Sequence, residues 1–301
     1  MSKRGTRAFR REGRRTERYG LFDFLHGYVY GRWPYAYIGL ATGERKPPRW
    51  LRPIVSWLGR HFSSGDESGH GWAEAYHGKV VPTSAAEQLV RLDRPIELRG
   101  LEQIIPFGKA HDIVMKDPDH IVALECPCRS VRENPCLPLD VCLVVGEPFA
   151  SFVAEHHPQK ARRITQDDAV EILRQERDRG HVHHAFFKDA MLNRFYAICN
   201  CCSCCCGAMH AHRAGTPMLI SSGYVASVTG KDCVGCGACA RICPFEALSV
   251  SDGIAHVDHE ACMGCGVCVA ACSKDALSLS LDPEKGMPLE MKDLLDTHAT
   301  P

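Results

Sequence analysis

Residues 233–244 read CVGCGACARICP and residues 262–273 read CMGCGVCVAACS. Each is C-x2-C-x2-C-x3-C, and the second run repeats the first 29 residues later, so the pattern is an internal duplication as well as a motif. Three thiolates from one tight loop can hold three corners of a [4Fe-4S] cube and leave the fourth to a cysteine from elsewhere. Gly235, Gly237, Gly264 and Gly266 let such a loop wrap a bulky group and turn backbone N–H groups towards it. Zinc is the competing occupant of C-x2-C pairs, and the doubled runs of four argue against it. The stretch GCGACA at 235–240 matches a dinucleotide fingerprint only in form, because it follows no strand and opens no βαβ unit.

These two runs resemble the bacterial-type two-cluster ferredoxin. The resemblance implies two [4Fe-4S] clusters that exchange their fourth ligands, one on Cys233, Cys236, Cys239 and Cys272, the other on Cys262, Cys265, Cys268 and Cys243. It also implies a pseudo-symmetric α+β sandwich, with short strands around YVASV, ALSV, IAHVD and ALSLSL flanking the loops. Pro244 matches the family pattern, whereas Ser273 replaces the second proline, a change in local rigidity that leaves all eight thiols in place.

Ten further cysteines lie upstream: Cys126, Cys128, Cys136 and Cys142 in ECPCRSVRENPCLPLDVC, then Cys199, Cys201, Cys202, Cys204, Cys205 and Cys206 in CNCCSCCC. Side chains of adjacent residues diverge, so the dense run reads as two registers, Cys199/Cys202/Cys205 and Cys201/Cys204, with the earlier group supplying the missing ligands. Ten thiols suffice for one or two additional Fe-S clusters. The alternatives are a structural zinc or redox-inert knot and a substrate-binding cluster with an open iron site. From about residue 80 to 281 the chain resembles a loosely described set of 4Fe-4S proteins from anaerobes that pair a C-x-C-R segment with a C-N-C-C-x-C-C-C run ahead of a two-cluster domain. That resemblance implies no substrate. His181, His183, His184, His210 and His212 flank the run and read as polar residues around the thiols or at the surface, with iron ligation or proton relay as the alternative. Arg129 and Arg132 beside Cys128 are placed to offset cluster charge or to form a solvated surface pair.

The compositional background is that of a globular protein: 45% hydrophobic, 24% charged, with 36 basic and 36 acidic residues. A net charge of zero gives no reason to expect nucleic acid as a partner. Eighteen cysteines without a recognisable secretory signal point to a reducing cytoplasm and to metal or redox chemistry rather than disulfides. Residues 1–80 hold all four tryptophans (Trp33, Trp50, Trp57, Trp72) and eight Lys or Arg within positions 3–18. This basic, aromatic segment is too interrupted to span a bilayer, and reads as docking onto a redox partner or the cytoplasmic membrane face, or as packing on the cluster region.

The expected organisation is α+β, with a mainly helical cysteine-rich domain over 81–220, a two-cluster domain over 221–283 and a tail over 284–301. Ser84 and Glu87 have capping-box spacing, LEQIIPFGKAHDIVMKDPD (101–119) reads as helix broken by Pro106, and Thr165 with Asp168 opens a helix over 166–179 that Gly180 stops. The function these features imply is that of an electron carrier passing single electrons between partner proteins. The alternative is an Fe-S oxidoreductase that reduces a small substrate at an unusual cluster.

Overall fold

A computed structural model describes residues 3–47 and 70–298, so Trp50 and Trp57 of the aromatic segment lie outside the described residues. The helices are α1 (Arg4–Gly13), α2 (Leu21–Arg32), α3 (Pro34–Ala41), α4 (His70–Ala75), α5 (Thr83–Val90), α6 (Pro127–Ser130), α7 (Phe149–His156), α8 (Gln166–Asp178), α9 (Gly207–Arg213), α10 (Ala238–Ile242), α11 (Val267–Ala270) and α12 (Met291–His298). The strands are β1 (Tyr76–Val81), β2 (Ile96–Leu98), β3 (Ile113–Leu124), β4 (Cys142–Glu147), β5 (Ala161–Ile164), β6 (Val182–Lys188), β7 (Arg194–Cys201), β8 (Leu219–Ile220), β9 (Tyr224–Val228), β10 (Leu248–Ser251), β11 (Ile254–Val257) and β12 (Leu277–Leu281). No described helix is long and apolar enough to cross a membrane.

The cysteine-rich region is built on a sheet, which corrects the expectation of a mainly helical domain. Eight strands run in the order β2-β3-β4-β7-β6-β1-β8, with β5 paired on β3. Among the described strands of this sheet only β1 and β8 pair in parallel. The central strands β6 (VHHAFFK) and β7 (RFYAICNC) are buried along nearly their whole length, because helices cover both faces. One face packs α5, α8 and α12 through Ala85, Leu89, Ala169, Leu173 and Met291. The opposite face packs the N-terminal helices and α7, with Phe9 edge-on to Phe149 and Phe152 at 5.8 and 5.5 Å.

Two local expectations fail for identifiable reasons. Residues 113–124 form a strand, and Pro118 is tolerated there because the β3–β4 register shifts between Lys116 and Ile121. A bulge leaves the proline with no ladder bond to break. Helix α5 begins at Thr83 with Pro82 in the cap position, so the Ser84–Glu87 box does not form, and Glu87 pairs with Arg174 instead. Helix α8 does open on the Thr165–Asp168 capping box, each side chain bonding the other's backbone N–H.

The duplicated runs lie in a small unit at the end of the chain. Strand β9 pairs with β12 and β10 with β11, and each cysteine loop ends in a one-turn helix, α10 or α11. This unit touches the larger sheet: Met263 and Cys265 pack into the same apolar cluster as Cys201 and Cys206.

Candidate metal centre

Each repeat of the duplication surrounds its own small cavity. One is lined by Cys233, Cys236 and Cys239 together with Cys272. The other is lined by Cys262, Cys265 and Cys268 together with Cys243. Local geometry explains why the loops can do this. Gly235 and Gly264 have φ of +61° and +64°, and an added Cβ would stand 2.5 Å from the Gly253 carbonyl oxygen and 2.1 Å from that of Tyr224, respectively. Only glycine permits that turn and that approach. The backbone N–H groups of Ala255, Ala247 and Ala226 point at the Sγ atoms of Cys233, Cys243 and Cys262 at 3.4, 3.3 and 3.5 Å. Donors aimed at sulfur favour thiolate, the form in which cysteine binds metal. Burial acts in the other direction, pushing the Cys268 thiol up to about 12. A bound cation opposes that penalty, so the donor set fits a metal cluster.

The ten upstream cysteines converge as well, in a grouping other than the two registers expected. Cys199 and Cys201 lie two apart on β7 and therefore share one face of the sheet. Cys142 pairs directly across from Cys199 in the ladder, Cys126 and Cys128 flank the first residue of α6, and Cys206 stands at the N-cap of α9. The Cys126 thiol lies against those of Cys128 and Cys142, that of Cys142 against Cys199, and that of Cys206 against Cys128 and Cys201. These six thiols, together with Cys202, line a single cavity of about 330 Å³. Contact with Cys128, then burial, pushes Cys126 up to about 12. Once the strand ends, the chain turns, and the other four thiols collect at its edge. The Sγ atoms of Cys136, Cys202 and Cys204 lie within 4.8 Å of one another, and the Cys205 Sγ is 3.6 Å from that of Cys204. The strand's period of two, rather than an x2 spacing, sorts the run. All eighteen cysteines are free thiols.

The polar surroundings of the two groups are interlocked. Arg129 is buried and donates to the carbonyl oxygens of Pro138 (2.6 Å) and Asn200 (2.9 Å) and to the Glu176 carboxylate (2.5 Å). The same carboxylate meets His181 Nδ1 at 2.7 Å, and His181 Nε2 lies 3.6 Å from the Cys136 Sγ. A carboxylate–imidazole pair behind a sulfur is an orienting arrangement of the kind found around metal ligands. Arg132 pairs with Glu44 and donates to the Cys205 carbonyl at 3.3 Å.

His181, His183 and His184 are buried, not at the surface, whereas His210 is exposed and His212 half-buried. His183 bonds Asn200 Oδ1 at 2.6 Å. His184 pairs in register with Cys199, and neither of its ring nitrogens has a partner among the described residues. Burial pushes it down to about 3, so the ring is neutral.

The sequence did not disclose Tyr30, Tyr37, Tyr76 or Lys188, which line the same large cavity opposite the thiols. The available signal was weak: a lysine ending an otherwise apolar strand, VHHAFFK. The N-terminal segment thus packs on the cluster region, with Tyr30 hydrogen-bonded to Tyr196 at 2.7 Å.

Among known proteins, no curated protein matches the chain. Residues 232–276 match the family model of the 4Fe-4S dicluster domain, which gives this part of the chain iron–sulfur cluster binding and an electron-transfer role.

Proposed function

We propose that this chain is a multi-cluster electron relay, passing single electrons between partner redox proteins. In this reading Cys233, Cys236, Cys239 and Cys272 hold one [4Fe-4S] cluster and Cys262, Cys265, Cys268 and Cys243 a second. Cys136, Cys202, Cys204 and Cys205 hold a further cluster at the sheet edge, and the six-thiol cavity holds another. Such clusters, when bound, supply one-electron carriers whose potentials respond to hydrogen bonds and burial. The chain's part is to hold them near one another, keep water away and set the surrounding charge.

The observation that carries this reading is the continuity between the dicluster unit and the upstream thiols. Arg213 on α9 donates to the Ser203 carbonyl at 2.8 Å and to the Pro244 carbonyl at 2.9 Å, tying the dense cysteine run to the residue beside Cys243. Met263 and Cys265 also share a packed core with Cys201 and Cys206. A two-cluster domain tethered only as a passenger would need neither contact.

The N-terminal helices serve as the docking element for an anionic membrane face. Leu21, Leu25 and Val29 form one exposed stripe on α2 at i, i+4 and i+8, with Trp33 also exposed, while Arg4, Arg7, Arg10 and Arg11 are exposed on α1. Apolar side chains beside arginines match the chemistry of an anionic interface.

An electron paramagnetic resonance titration against potential tests the relay. More than two one-electron steps are expected, with line broadening from spin coupling between neighbouring clusters. Two steps alone, with no coupling beyond that of a two-cluster domain, would overturn it.

A further inference from the structure

The cavity lined by the upstream thiols is larger than either cavity of the dicluster unit. The two cavities of the dicluster unit, each lined by four cysteines, have free volumes of about 20 and about 10 Å³. The cavity behind β6 and β7 measures about 330 Å³. The cavity extends beyond the thiols that line it, and that part has a chemistry of its own.

Its far end is formed by Lys188 and three tyrosines. The Lys188 side chain is 4% exposed, and its Nζ stands over the rings of Tyr30, Tyr76 and Tyr37 at 5.1, 5.2 and 5.9 Å. Among the described residues its only carboxylate neighbour is Asp189 at 3.9 Å, the outer limit of an ion pair, and Nζ donates no hydrogen bond to any of them. Contact with the three ring faces offsets part of the cost of burying this ammonium, and an anion meeting Nζ would offset more of it.

That anion is not supplied by the thiols at the other end. Lys188 is four residues along β6 from His184, which pairs with Cys199, so the two rows are separated by roughly 13 Å at the strand rise per residue. Phe186 projects between them from the same face, and Ile38 and Met218 complete an apolar wall. The cavity thus has a metal-binding end, an apolar middle and a cationic end.

We propose that the open part of this cavity binds a small organic acid. Its carboxylate pairs with Lys188, its apolar body lies against Phe186 and the tyrosine rings, and its other end faces the six-thiol group. This rests on the reading that the six thiols hold a cluster. It turns that end of the relay into a place where a bound molecule meets electrons.

Benzoate and benzyl alcohol, an acid and a neutral molecule of similar size, are the probes. Calorimetry and the resonance spectrum of the reduced protein would be recorded for anaerobically purified wild type, Lys188→Met and Lys188→Arg, with iron per chain measured for each. Benzoate is expected to bind the wild type and change the line shape of one cluster signal outside the dicluster unit. Lys188→Met should weaken benzoate at least tenfold and leave benzyl alcohol unchanged, while Lys188→Arg largely restores the acid. Full iron content with no benzoate binding, or equal benzoate affinity in Lys188→Met, would overturn the proposal and leave the relay standing. Iron confined to the dicluster unit would overturn the cluster reading on which it rests. A Lys188→Met protein that loses iron is replaced in the comparison by Lys188→Gln, whose unchanged benzoate affinity would likewise count against the site.

Discussion

A side chain at position 264 has no space to occupy. Its Cβ would sit 2.1 Å from the Tyr224 carbonyl oxygen and 2.2 Å from Ser222 Oγ, at a backbone φ of +64°. Gly264→Ala should therefore open the loop between Cys262 and Cys265 and cost one cluster, a fall of about four iron atoms with matching loss of visible absorbance. Gly230→Ala, where a Cβ meets nothing within 4 Å, should change neither. Arg129 is the other residue on which much depends. Its guanidinium donates to two carbonyls and to Glu176 from a site that is 1% exposed. Arg129→Met leaves Glu176 to Arg179 and His181 but removes the donor to the Pro138 and Asn200 carbonyls, a loss of about 1–3 kcal/mol. A lowered urea midpoint would report the loss. Lysine, with a single ammonium in place of a planar fork, should rescue it only in part.

At the scale of elements, the chain's local signals were legible where an element is half-exposed or capped. The four short strands of the dicluster unit and helix α8 with its Thr165 cap form where the residues indicate. Strands β6 and β7 were not legible, because a strand covered on both faces has no alternation and resembles a buried helical segment. Strand β3 was hidden by Pro118, which only the bulge makes compatible with a ladder. Helix α2 shows a third situation, with one side on the core through Phe24 and Tyr28 and a second apolar side exposed. If the exposed stripe meets an anionic membrane, the double change Leu25→Gln and Val29→Gln should reduce co-sedimentation with phosphatidylglycerol vesicles several-fold while iron per chain stays constant. Unchanged sedimentation would return α2 to a purely packing role.

On the scale of the whole molecule, the eight thiols of the duplication could be paired with cavities from spacing and resemblance alone. The upstream site could not, because it is assembled from parts of the chain far apart in sequence. Tyr30 and Tyr37 come from the N-terminal helices, Cys126 and Cys142 from either side of α6, and Lys188 and Cys199 from neighbouring strands. Composition registered the cysteines but not the lysine and tyrosines that face them. The sheet determines which thiols meet, placing Cys199, Cys201 and Cys206 on the large cavity and Cys204 and Cys205 at its edge, with Cys202 bordering both, although all six lie within eight residues.

In the proposed relay both upstream thiol groups hold iron beyond the dicluster unit. Iron, acid-labile sulfide and zinc per chain on anaerobically purified protein test it directly, in wild type and in Cys136→Ser/Cys204→Ser and Cys126→Ser/Cys199→Ser variants. The prediction is about sixteen irons with matching sulfide in the wild type, at four per cube, and a loss of about four in each double variant. About eight irons in all three proteins, with zinc in the wild type alone, would contradict it and leave an electron carrier joined to a structural zinc knot.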